Sequence, residues 1–298
     1  MELTKTKEPV APRPALPGAM STRRKVTDQT ARVAVTLSVL LAVLPLGWLV
    51  WTLVSRGIGP IVDIDWWTKS ERYGGASNAL VGTLIQTALA AVVAVPVGVL
   101  VAIYLVEYSS RKSLLSRVTT FMVDVLAGVP SIVAALFVYA VWRTTLGLPR
   151  SGLVVALALV LLMVPLVVRA TEEMLKIVPQ DLREAAYALG VPKWKTILRV
   201  VLPTAMSGII TGVMLAVARV IGESAPVLIL MGATRVMNVN PFAGDQQSLP
   251  LMMLQNYNKG PSGYETVWGA ALTLVIAVAV VYILARVLST FTGPKTGR

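Results

Sequence analysis

Six apolar runs alternate with polar stretches along this chain, at 31–54, 78–107, 117–143, 153–171, 203–232 and 265–289. Each is long enough for a helix to cross a hydrocarbon layer about 30 Å thick. The pattern predicts an all-α integral membrane protein with six transmembrane helices, and an even number of crossings returns both ends to one side. Residues 1–30 are polar, proline-rich and basic, with no apolar stretch at the place a cleavable leader needs one, and read as a disordered cytoplasmic tail. The expected organisation is that tail, then a first helix with an external segment at 31–77, a membrane core at 78–290, and a second cytoplasmic tail at 291–298.

The core is interrupted by a loop at 172–202, within TEEMLKIVPQDLREAAYALGVPKWKTILRVVLP, too polar to cross and too patterned to lack structure. Asp181 followed by Glu184 has the spacing of a capping box, and Gly190 then Pro192 marks a helix end. Leu182, Ala185, Ala186 and Leu189 recur at helical spacing, so they share one narrow face whose central members are small, suited to docking on another protein. A second short helix places Trp194, Ile197, Leu198 and Val201 on one side and Lys193, Lys195 and Arg199 on the other, as expected of a segment lying along a membrane surface. An ordinary amphipathic connector fits the same periodicity.

Two features inside the apolar runs carry candidate chemistry. In ARVIGESAP, Arg219 and Glu223 are spaced i, i+4, which puts both on one helical face. Counted from Ser207, Arg219 is about 18 Å along the helix, close to the middle of a bilayer. A charge at that depth costs roughly 2.5–3.5 kcal/mol, so it needs a partner or a task. Gly208, Gly212 and Ala216 form a stripe of small residues that leads into the pair and lets another helix approach closely. In the third run, Gly128-Val-Pro130-Ser131 interrupts the helix at a similar distance from its start. It is either a plain kink or a break whose second half-helix presents free N–H groups to an anion.

Arginine's planar fork matches the oxygens of an oxyanion, and a carboxylate beside it suits an anion that itself carries a proton, as phosphate does near neutral pH and sulfate does not. Ser131, Arg219, Glu223 and, nearer the inside end, Arg169 are therefore the candidate substrate contacts. A structural Arg–Glu pair between helices fits the same residues, and Arg169 can equally snorkel or pair with Asp124.

Composition narrows the alternatives. The chain has neither cysteine nor histidine, which excludes disulfides, thiolate or imidazole metal sites and Ser-His-Asp chemistry, and no metal or cofactor site is expected. No G-x-x-x-x-G-K-[ST] sequence occurs, so any ATP that drives the protein is expected to be hydrolysed by a partner, and the chain itself is not expected to be an enzyme. The net charge of +12 is spread along the chain. With the N-terminus inside, nineteen Lys and Arg fall on inner segments against seven outside, which sets the orientation and argues against nucleic acid as the partner. Trp66 and Trp67, in the outer segment after the first helix, fit an aromatic belt at the membrane interface.

EAAYALG, followed by VVLP, resembles the EAA loop of ABC-importer permeases, with Glu184, Ala185, Ala186 and Gly190 in register. That resemblance implies a type I ABC importer permease fold, with 78–290 as its permease core and the 172–202 loop as the coupling helix that docks on a cytoplasmic ATPase. With GVPSI, RATEEML, ARVIGESAP and NPFAGDQQSLPLMMLQ, the likeness extends from about Val81 onward and narrows to permease subunits of bacterial phosphate importers. It implies inner-membrane location and, as partners, a PstC-like sister permease, a PstB-like ATPase dimer and a PstS-like phosphate-binding protein outside the membrane. An importer of another oxyanion or small solute shares the coupling loop and stands as the alternative.

Overall fold

A computed structural model describes residues 22–110, 113–232 and 234–292. The chain divides into two compact units, residues 1–52 and 53–298. Helix α1 (Thr22–Val62) belongs to both. It is already helical from Thr22, ahead of the expected start at 31, and its side chains described from Arg24 to Trp51 are exposed, as suits a helix whose surroundings are lipid or another chain. The expected tail over 1–21 and the last residues of the expected tail, 293–298, lie outside the described residues.

The second unit contains α2 (Ile64–Thr68), α3 (Ser77–Ile103), α4 (Leu114–Gly128), α5 (Ser131–Tyr139), α6 (Gly152–Ile177), α7 (Gln180–Ala188), α8 (Lys193–Thr196), α9 (Leu202–Ile221), α10 (Ala225–Leu230), α11 (Leu249–Tyr257) and α12 (Tyr264–Thr292). No strand is assigned among the described residues. Five helical stretches are long and apolar enough to cross a membrane, or six if the bent pair α4 and α5 is one span.

Small residues set the core. Along α3, Ala90, Ala94, Gly98 and Ala102 recur every fourth residue and are buried. A Cβ at Gly98 would come within 2.7 Å of the Val167 side chain, so glycine there lets α3 and α6 pack backbone to side chain. Further along α6, Gly212 of α9 abuts Ala170, and Gly208 abuts Met174. The stripe Gly208, Gly212, Ala216 is thus the seam between α9 and α6. Around it Met163, Val167, Val168, Val201 and Val220 form one apolar core.

Two of the expected spans are altered by backbone chemistry. The run expected at 117–143 is two helices bent by 104° at Val129 and Pro130. The proline nitrogen has no hydrogen to give to the preceding turn, and Val129 before it is pushed to an extended conformation, so the first helix stops. The run expected at 203–232 ends at Ile221, and Gly222 and Glu223 lead into the short α10. At its other end that run reaches back without interruption to Lys193, because a π-helical turn at Ile197–Val201 joins α8 to α9 just before Pro203, a proline for which the ordinary i−4 bond is missing. The segment expected to lie along the surface is therefore the first part of a span. Ile197 and Val201 face the core while Trp194 and Leu198 are exposed, so the four do not share one face.

A second, smaller cluster of Trp66, Ala76, Ala79, Leu249, Met252 and Ala270 joins α2, α3, α11 and α12. Trp66 is only 4% exposed, and its indole nitrogen donates to Thr273 Oγ1 at 2.9 Å. It is a core residue and not part of an interfacial belt, because the outer segment folds back onto α12 instead of lying at the surface. Residues 234–248 are pinned in the same way. The Pro241 carbonyl accepts from Leu153 N–H at 2.8 Å, Asp245 Oδ1 from Gly232 N–H at 2.9 Å, and Thr83 Oγ1 from Leu249 N–H at 2.9 Å. A Cβ at Gly82 would collide with the Gln247 carbonyl oxygen.

Candidate substrate site

The break in the bent pair and the end of α9 meet. Leu126 to Ser131, Leu162 and Leu166 of α6, Arg219 and Glu223 together line a cavity of about 250 Å³. Three elements of unrelated sequence position it: the proline stop between α4 and α5, the middle of α6, and the Gly222 turn after α9. Ser131, the first residue of α5, lines the cavity, so the start of that helix lies at its wall. The remaining lining from α6 is leucine, which lowers the local dielectric and strengthens any charge interaction inside.

Arg219 and Glu223 reach this cavity, but not as a pair on one helical face. Helix α9 ends at Ile221, and Glu223 N–H donates to the Val220 carbonyl at 3.1 Å in the turn beyond. Depth reckoned from Ser207 does not hold either, since the helix begins further back. What the fold sets is that Arg219 and the proline break line one cavity. Among the described residues no carboxylate approaches the Arg219 guanidinium closely enough for an ion pair, Glu223 included. The side chain of Arg219 is exposed and Glu223 is half-buried. The site therefore presents an uncompensated fork of donors, a helix start and a nearby carboxylate, in an otherwise apolar wall.

Arg169 is not part of this lining. Its guanidinium is held by Asp124 of α4 and by Glu172 at 2.6 Å, and Glu172 in turn takes Lys176 at 2.7 Å. Arg169 is thus occupied in tying α4 to α6 just beyond the cavity, the pairing with Asp124 being the structural alternative left open by the sequence. The candidate residues that the structure brings together in one cavity are Ser131, Arg219 and Glu223, with Leu162 and Leu166, which no pattern in the sequence singles out.

The second feature is the loop helix α7. Its first residue follows Pro179, and Asp181 lies in the first turn without capping it, because Pro179 already supplies the extended cap geometry. Gly190 takes φ +75°, a conformation glycine adopts without strain, and its N–H donates to the Tyr187 carbonyl at 2.9 Å, which ends the helix. Ala186 is buried against the core, while Leu182, Glu184, Ala185 and Leu189 are exposed, Leu189 at 84%. Three of the four residues expected on one docking face point outward together, and the fourth, Ala186, anchors the helix. Among the described residues no group of three or more Asp or Glu is placed to hold a metal ion.

A bundle with small-residue seams, a broken helix and an outward-facing loop helix defines a transport permease, and the chain belongs to the family of binding-protein-dependent transport system inner membrane components, whose model matches residues 94–297. Among its relatives, the phosphate transport system permease protein PstA 1 of Mycobacterium tuberculosis (strain ATCC 25618 / H37Rv) is 51% identical over 277 residues, covering 90% of this chain and 89% of that protein. PstA of Mycobacterium leprae (strain TN) is 53% identical over 268 residues, covering 87% and 88%, and PstA of Yersinia pestis is 37% identical, covering 90% and 94%. In fold, the chain is similar to one from a bacterial ABC transporter importing alginate (TM-score 0.63, 14% identity, 89% and 98% covered). It is also similar to one from the inward-facing MetNI methionine ABC transporter (TM-score 0.55, 19% identity, 72% and 93% covered).

Proposed function

We propose that this chain is the PstA-type permease of an ATP-driven importer of inorganic phosphate, and that the cavity at the α4–α5 break is where phosphate crosses. The observation that carries the reading is that Arg219, without a carboxylate ion-pair partner among the described residues, lines one cavity with the first residue of α5 and with Leu162 and Leu166. Arg219 supplies charge and a two-pronged hydrogen bond, the start of α5 with the Ser131 hydroxyl supplies further donors, and Glu223 accepts the hydrogen of a protonated phosphate.

In this reading both termini and α7 face the cytoplasm, and the segment at 234–248 faces outside, in the bacterial inner membrane. The exposed face of α7, with Leu182, Glu184, Ala185 and Leu189, rests in a groove of a PstB-like ATPase dimer, which hydrolyses the ATP. A PstC-like sister permease completes the path, and a PstS-like protein delivers phosphate from outside. The chain itself needs no cofactor. ATPase closure pulls α7, the α6–α9 seam rearranges, and the cavity changes the side to which it opens.

The test is phosphate uptake by the reconstituted complex. Arg219→Ala is expected to lower uptake about 100-fold, equivalent to roughly 2.7 kcal/mol of lost interaction, while the subunits still co-purify. Uptake at the wild-type rate would overturn the site. Sulfate that competes as well as unlabelled phosphate would favour a permease for oxyanions in general.

A further inference from the structure

The most heavily bonded side chain in the described structure lies outside the cavity. Arg183, on α7, is buried, and every polar atom of its guanidinium is engaged. Nε and Nη2 donate to Glu107 Oε1 at 3.1 and 2.8 Å; Nη2 also donates to the Leu175 carbonyl at 2.9 Å; Nη1 donates to the Val178 carbonyl at 2.6 Å and the Pro179 carbonyl at 3.4 Å. Glu107 belongs to the π-helical turn Tyr104–Tyr108 that ends the α3 span, and its side chain is as enclosed as that of Arg183. Leu175 and Val178 are at the end of α6, where carbonyls have no partner within the helix. One guanidinium therefore binds the loop helix to the ends of two membrane helices at once.

Little else does so. On α7 only Arg183 and Ala186 are buried. Beneath the helix lies a hollow of about 530 Å³ lined by Glu107, Lys176, Arg183, Tyr187 and Lys193 among others, so α7 is not packed flat on the bundle. Lys193 is occupied over the Tyr108 ring at 5.2 Å, and Lys176 by Glu172. Beside the backbone through Val178 and Pro179 and the contacts of α7 with α8 and the Ile197–Val201 turn, a pull on the exposed face of α7 reaches the membrane helices through the hydrogen bonds of Arg183. That path ends on α3 and α6, the pair in most extensive contact, and Leu162 and Leu166 of α6 line the cavity.

We infer that Arg183, braced by Glu107, is the positioning residue that transmits movement of the coupling helix to the α3–α6 pair. This inference rests on the proposed function only in taking α7 as the helix an ATPase grips. Lysine at 183 keeps the charge opposite Glu107 but cannot also hold the α6 carbonyls with a planar fork, so it keeps the helix in place with a looser connection.

Two measurements on the assembled complex test it. In proteoliposomes, phosphate transported per ATP hydrolysed is expected to fall about tenfold in Arg183→Ala, within the ~5–150-fold range of ordinary coupling energies, and to fall less in Arg183→Lys and Glu107→Gln. Hydrolysis and uptake that decline together at a wild-type ratio would mean Arg183 only holds the loop, and would overturn the inference. If Arg183→Ala does not assemble, the ratio in Arg183→Lys decides in the same way. The second measurement needs no phosphate. Leu162→Cys, in a chain otherwise free of cysteine, is expected to change its maleimide reaction rate when ATP binds, and to lose that response when Arg183 is replaced. A persisting response overturns the inference. A Leu162→Cys complex that shows the response, in a system whose wild-type complex takes up no phosphate, would instead count against the phosphate reading.

Discussion

At the scale of single residues, the three membrane-side arginines 169, 183 and 219 differ by partner and not by type. Arg169 has two carboxylates and Arg183 has one carboxylate and three carbonyls, whereas Arg219 has no carboxylate partner among the described residues. A buried guanidinium without a counter-charge is costly, which is why Arg183 has its partners, whereas Arg219 is exposed at a cavity wall with its donors open to a charged ligand. Glu223 then has a narrower task. Glutamine in its place keeps the shape and an accepting oxygen but removes the negative charge that disfavours a fully deprotonated anion. Glu223→Gln is expected to retain phosphate uptake within about tenfold and to let sulfate compete more strongly, as measured by labelled uptake against each ion. Unchanged rejection of sulfate would remove Glu223 from selectivity. The residue types in this site were legible in the sequence, but their partners were not. Arg183 and Glu107 are 76 positions apart, and no local spacing links them.

Among the elements, the seam between α6 and α9 shows how a glycine motif acts through its neighbours. The hypothetical Cβ of Gly208 meets the sulfur of Met174, the mobile end of a flexible side chain, while that of Gly212 meets Ala170 Cβ at 2.6 Å, an atom fixed to its helix. Methionine can turn aside, but alanine moves only if the helix does. Gly208→Ala is expected to leave thermal stability in detergent close to wild type, and Gly212→Ala to cost about 1–3 kcal/mol, as overpacking of a tight interface does. Equal effects would show that the seam is looser than its geometry. The stripe itself could be read from the chain, since small residues at steps of four have one use in a membrane helix. Which helix it meets could not, because that depends on how the spans are arranged. Helix ends were harder still. The stop at Ile221 precedes Gly222-Glu223-Ser224 and Pro226, which has no hydrogen to give to the Gly222 carbonyl, inside a longer run that reads as one apolar span.

For the molecule as a whole, the bias of basic residues gives an expected orientation, and the absence of cysteine makes it directly measurable. Leu189→Cys, on the exposed face of α7, and Phe242→Cys, 66% exposed in the segment before α11, are expected on opposite sides. A membrane-impermeant maleimide on intact cells should label Phe242→Cys and spare Leu189→Cys, and the reverse pattern would invert the topology. By itself the sequence determined that the chain lives in a membrane, roughly where its apolar spans lie, which polar loop interrupts them, and which charges fall inside apolar runs. Those follow from the cost of exposing backbone and charge to hydrocarbon, a cost paid locally at each residue. Tertiary structure decided that the proline break, the end of α9 and the middle of α6 enclose one cavity, that Arg169 and Arg183 are spoken for, and that Trp66 is core. Those depend on contacts between residues far apart in the chain, which packing alone selects.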